Sequence, residues 1–115
     1  MNLAKVDFQQ LRIKHILFKS KVRSILYGGT FDEAFFSGSG PVNTWFSSIG
    51  QANYGQEPGI RELMRVHQEA TATALQLFNL YKTGRIEQAL DGLQNIEVNS
   101  EKFLGLLAQL EQKLS

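Results

Sequence analysis

His15 and His67 are the two histidines of this sequence, and each falls on a helical stripe that is otherwise apolar. Imidazole ligates metals, titrates near neutral pH and relays protons. Two imidazoles on inward faces of separate helices could therefore form one shared site in a small bundle. The competing reading is that each is a packed core histidine with an ordinary hydrogen-bond partner. Thr71 lies one helical turn beyond His67, and Ser100 interrupts the apolar stripe of the last helix, so a small polar patch is expected in the interior.

Catalytic arrangements do not assemble from the remaining residues. There is no nucleophile elbow, no Ser-His-Asp order and no phosphate-cradling glycine loop, and the segment Ser37 to Pro41 (SGSGP) lacks the preceding strand such a loop needs. Glu62 and Glu69 lie five residues before and two after His67, which turns both largely off its helix face. His67 to Thr71 reads HQEAT, neither HExxH nor a di-iron helix. With no cysteine there is no disulfide, thiolate ligand or thiol nucleophile. No catalytic residue and no enzymatic role are expected.

The elements that must position the histidines follow from periodicity. The chain has 115 residues, 43% of them hydrophobic and 10% aromatic, enough for one core and one domain spanning 1–115. Phe8, Leu11, His15, Phe18, Val22 and Ile25 recur at steps of three and four and predict a helix over 3–27, ended by Gly28-Gly29. Residues 28–40 mix turn formers with Phe31, Phe35 and Phe36 and predict a loop that packs back on the core. Pro41 opens a short helix over 41–50 that buries Val42, Trp45, Phe46 and Ile49. A helix over 58–82 turns Ile60, Leu63, Met64, His67, Thr71, Ala74 and Phe78 inward. A last helix over 85–113 does the same with a stripe from Ile86 through Ser100 to Leu114. The expected fold is all-α, a four-helix bundle with three long helices and one short second helix.

Twelve basic against eleven acidic residues argue against nucleic acid as a partner, but the balance is uneven. Residues 1–27 hold six Lys and Arg against Asp7, a net of +5, and the remainder carries −4. That asymmetry fits either a solvated helix face or a contact for an acidic partner. The N-terminus shows no signal pattern and no 18-residue apolar run occurs, so no membrane association and a cytoplasmic location are expected.

Three short motifs in order resemble the chemoreceptor zinc-binding domain, a bacterial four-helix-bundle family found attached to chemoreceptors and diguanylate cyclases and sometimes alone. His15-Ile16-Leu17-Phe18-Lys19 is similar to its HxxWK, with Phe18 for Trp. Gly40 to Trp45 (GPVNTW) is similar to CxxGxW, keeping Trp45 but with Gly40 for Cys and Asn43 for Gly. Tyr54-Gly55, Pro58 and Arg61 lead to His67 as in the run to HxxxH, with Thr71 in place of the second His, and TGRIEQAL with Ser100 fits the ending.

The resemblance implies a zinc site of three His and one Cys in the bundle interior. Carried over by position, His15 and His67 remain as remnant metal ligands, while Gly40 and Thr71 occupy lost ligand positions. Two neutral nitrogens neither balance the metal's charge nor fix its geometry, so zinc binding is expected to be weak or lost. The resemblance then implies a degenerate, stand-alone signalling bundle acting through a protein partner or a homodimer, with no cofactor. The alternative is a metal- or small-ligand sensor built on His15 and His67, and a bis-histidine haem bundle is a third geometry open to the same pair.

Overall fold

The structure, a computed structural model, describes residues 3–114; residues 1, 2 and 115 of the expected domain lie outside the described residues. Helix α1 spans Leu3–Leu26 and buries all six residues of its expected stripe, together with Asp7 and Leu26. It ends in a closed glycine cap. Gly28 takes φ +100°, its N–H bonds Ile25 O, and Gly29 N–H reaches back to Ser24 O at 2.8 Å. Those bonds satisfy carbonyls the helix would otherwise leave open.

The segment 28–40 is a loop of turns, as its composition predicts, and contains no helical turn. Phe36 is buried and packs edge-on against Phe18 and Phe78, Phe35 is half-buried, and Phe31 stacks over Phe36 with much of its ring in solvent. Helix α2 spans Pro41–Trp45, a π-helical turn follows over Phe46–Gly50, and α3 covers Gln51–Tyr54. The predicted 41–50 helix therefore runs one turn further and changes pitch on the way. The hydroxyls of Ser47 and Ser48 both bond Thr44 O, competing with the backbone donor it would otherwise take, which suits a widened turn.

Helix α4 spans Pro58–Lys82 at the predicted bounds, with Pro58 at its first position and the Glu57 carboxylate accepting from Gly59 N–H. Gly84, at φ +90°, closes it as Gly28 closes α1, with Arg85 N–H on Leu80 O. Met64, Thr71 and Phe78 are half-buried, whereas Val66, Ala70 and Leu77 are the fully buried neighbours of Leu63, His67 and Ala74.

The single last helix expected over 85–113 is in fact two, α5 at Ile86–Asp91 and α6 at Leu93–Leu114. A Cβ on Gly92 would stand 2.1 Å from Leu77 Cδ2, so the chain approaches α4 at a point where any side chain would have to displace Leu77. Within α5 the buried residue is Ala89. Ile86, expected inward, is 46% exposed, while Ile96, Ser100, Phe103, Leu107 and Leu110 are buried as predicted.

Helix α6 packs against α1 and α4, α5 against α4, and α2 against α1, so α1, α4 and α6 enclose one core in an all-α bundle. No strand occurs among the described residues, and no helix there is long and apolar enough to cross a membrane.

The glycines give a paired test of this packing. Gly105 is exposed inside α6 with nothing near its Cβ position. Gly105→Ala is expected to raise stability by about 0.5–1 kcal/mol through backbone entropy and helix propensity. Gly92→Val should lower it by about 1–3 kcal/mol by forcing Leu77 out of place. Urea unfolding of the two variants against the parent measures both signs.

Candidate functional site

His15 is 1% exposed and His67 4%, so the helical spacing placed both rings correctly. They enter from α1 and α4 toward the same residue of α6. The His15 ring stacks on Phe103 at 4.3 Å and 12°, and the His67 ring meets Phe103 edge-on at 6.5 Å and Phe18 at 4.9 Å.

The polar contacts of the two rings differ. His15 Nε2 lies 2.8 Å from Ser100 Oγ, which explains the hydroxyl in the apolar stripe of α6. Thr71 Oγ1 donates to His67 O at 3.1 Å, one turn back on its own helix, so it serves the backbone and not the imidazole. His15 Nδ1 and His67 Nδ1 are buried without a hydrogen-bond partner among the described residues, as is Asn99 Oδ1, whose Nδ2 donates to Val66 O at 3.1 Å. Such a buried, unpaired polar atom costs about 1–3 kcal/mol.

Burial sets the electrostatics. Desolvation pushes the His15 imidazole down to about 4, with smaller contributions from nearby His67 and Lys19. Burial alone pushes His67 down to about 4. Both rings are therefore neutral at pH 7.

Beside His67 lies a cavity of about 10 Å³ as sampled by a water-sized sphere, with Phe18, Phe36, Gly40, Asn43 and Thr71 among its walls. The structure thus brings His67 together with both positions that the sequence marked as lost ligands. His15 is not in that wall, being held on the Ser100 and Phe103 side. Gly40 is closed off in a way the sequence did not indicate. A Cβ there would meet Phe35 O at 2.1 Å, so the backbone of the aromatic loop already occupies the place of a side chain. Phe18 and Phe36 line this region, and Trp45 does not.

Trp45 belongs to a second polar cluster that the sequence did not reveal. Its Nε1 donates to Asp7 O at 3.0 Å, and the buried Asp7 carboxylate accepts from Tyr54 Oη at 2.8 Å and Asn53 Nδ2 at 3.2 Å. Burial, and then the bond and charge of Asp7, push the Tyr54 phenol up to about 12. The one available signal was the place of Asp7 beside Phe8 on the inward stripe of α1. Among the described residues no three of His, Cys, Asp and Glu gather as a metal-ligating group.

Two outcomes follow. The folded imidazoles titrate at about 4, below the ordinary 6.5, so the unfolded chain binds more protons between those values. Stability should be full above pH 6.5 and decline as the pH falls toward 4, by on the order of 3 kcal/mol per ring. Denaturant midpoints from pH 7 to 4.5 measure the slope, and a flat profile would contradict neutral burial. Separately, Gly40→Cys, which places a thiol at this position, should destabilise by about 1–3 kcal/mol because backbone must move. Gly38→Cys, with open space at its Cβ, should be near neutral. No protein-family model, curated protein or solved structure matches the chain, so what it does is read from these residues.

Proposed function

We propose that this chain is a small regulatory bundle that acts by binding another protein, and that its buried histidines serve the core rather than high-affinity zinc. The observation that supports this most directly is the environment of Gly40. Where the resembled family places a cysteine, the Phe35 carbonyl leaves no room for a side chain. The remaining donor set is two neutral imidazoles, one already bonded to Ser100, against the four ligands of a closed zinc site. These residues do not fit structural zinc, and no step of the protein's action runs through a metal. With both imidazoles packed and neutral, the chain's specific chemistry lies on its surface, where α1 gathers positive charge.

A second reading, a metal- or small-ligand sensor, is favoured by one observation. Both Nδ1 atoms are buried without partners, and His15 holds its other nitrogen against Ser100, as a ligating imidazole holds a supporting hydrogen bond.

Elemental analysis of the purified chain before and after zinc addition separates the two, with well below one zinc per chain expected. A strong chelator should change the melting temperature by less than about 5 °C, corresponding to roughly 1 kcal/mol. One retained zinc per chain, or a larger fall, would establish the sensor reading instead.

A further inference from the structure

Helix α1 has a third face besides its buried stripe and its contact with α6. Gln9, Ile13, Ile16, Leu17, Ser20 and Ser24 recur at steps of three and four along its outer side, and all six are exposed. None is charged. Ile13, Ile16 and Leu17 form the centre of this face at 64%, 53% and 44% exposure. A solvated helix face normally carries its charges here, at the positions farthest from the core.

The charges of α1 stand instead along both edges of the uncharged face, and every exposed one is positive. Lys5, Arg12, Lys19 and Arg23 run along the edge toward α6, and Lys14 and Lys21 along the other. Asp7, the single acidic residue of the helix, is buried. Arg12 pairs with Glu111 and Lys19 with Glu97, both at 2.9 Å, while Lys14 and Arg23 form no ion pair among the described residues.

We infer that the outer face of α1 is the docking surface for an acidic amphipathic helix of a partner protein. The inference rests on the reading of the chain as a protein-binding bundle. A helix with apolar residues at three- and four-residue steps would seat them on Ile13, Ile16 and Leu17, and flanking Asp or Glu would face the basic edges. Charge decides between occupants. A second copy meeting this face with its own α1 would set basic edges against basic edges. A lipid surface is disfavoured by composition, because Gln9, Ser20 and Ser24 interrupt the apolar residues and no Trp or Phe is available on the face to insert.

The test uses the full chain and two synthetic helical peptides of about five turns, identical in their leucines but flanked by Glu in one and Lys in the other. The Glu peptide is expected to bind at least about tenfold more tightly by fluorescence anisotropy, with affinity falling as salt rises. Ile13→Ser with Leu17→Ser should abolish binding with helical circular dichroism intact, and Lys14→Glu with Arg23→Glu should reverse the peptide preference. Equal affinity for the two peptides, no binding of either, or stronger binding to phosphatidylserine vesicles than to the Glu peptide would overturn the proposal. So would a dimer in sedimentation that Ile16→Glu disperses. That dimer would leave the protein-binding reading standing, whereas one retained zinc per chain would remove that reading whatever the peptides do.

Discussion

The contact of His15 with Phe103 and Ser100 fixes how α1 and α6 meet, and much of the bundle follows from it. A stacked ring and a buried hydrogen bond at one point tolerate neither a slide along the helices nor a rotation about them, whereas aliphatic contacts tolerate some of both. The flanking ion pairs agree with this register. Arg12 meets Glu111 on one side of His15 and Lys19 meets Glu97 on the other, in antiparallel order. Partly exposed pairs of this kind contribute little energy, so they follow the register rather than set it. The buried Asp7 cluster anchors the N-terminal end of α1 through Tyr54, Asn53 and Trp45. With its middle and its N-terminal end fixed in rotation, the direction of the outer face is fixed too.

Keeping both imidazoles neutral is the condition on which that contact rests. A charged ring among Phe18, Phe36 and Phe103 would have no compensating carboxylate, because the acidic residue that α1 buries is Asp7, two turns before His15 and engaged elsewhere. The part of the interior around the two rings therefore holds polar atoms without holding charge. Gly40 shows the same economy in the backbone. The carbonyl of Phe35 takes the space a side chain would need, which draws the aromatic loop over α1 and α4 and lets Phe36 close the core.

Periodicity made the long helices legible. The six-residue stripe of α1 and the bounds of α4 could be read because amphipathic spacing, a first-position proline and closing glycines are local signals. Ser100 was visible as an interruption, and its pairing with His15 follows from the need of a buried ring nitrogen for a partner. What could not be read depended on contacts between distant segments. A Cβ at Gly92 would crowd Leu77, far off in sequence, and Ile86 at the start of α5 stands exposed. Trp45 is buried as the spacing predicted but turns its ring N–H to Asp7, since an indole N–H seeks a buried acceptor and the carbonyl of Asp7 supplies it. The block of Gly40 by Phe35 O arises from a turn conformation that composition alone does not specify.

Helix α1 divides its circumference in a way that bears on what the surface is for. The core takes one arc, which holds both apolar residues and a histidine. The second arc, facing α6, is basic and partly neutralised by Glu97 and Glu111. The third is left without charge, although solubility alone would favour placing Lys or Glu there. Ile13, Ile16 and Leu17 expose apolar surface whose burial is worth roughly 25 cal/mol per Å², and no other segment of the described chain covers them. The core does not use these side chains, since α1 already buries eight residues on its other side. An uncharged face between like-charged edges is a poor surface for meeting its own kind and a good one for meeting the opposite sign. The positive charge of residues 1–27 and the exposed aliphatic residues of α1 thus lie together on one helix, the arrangement that the proposed acidic amphipathic helix would complement.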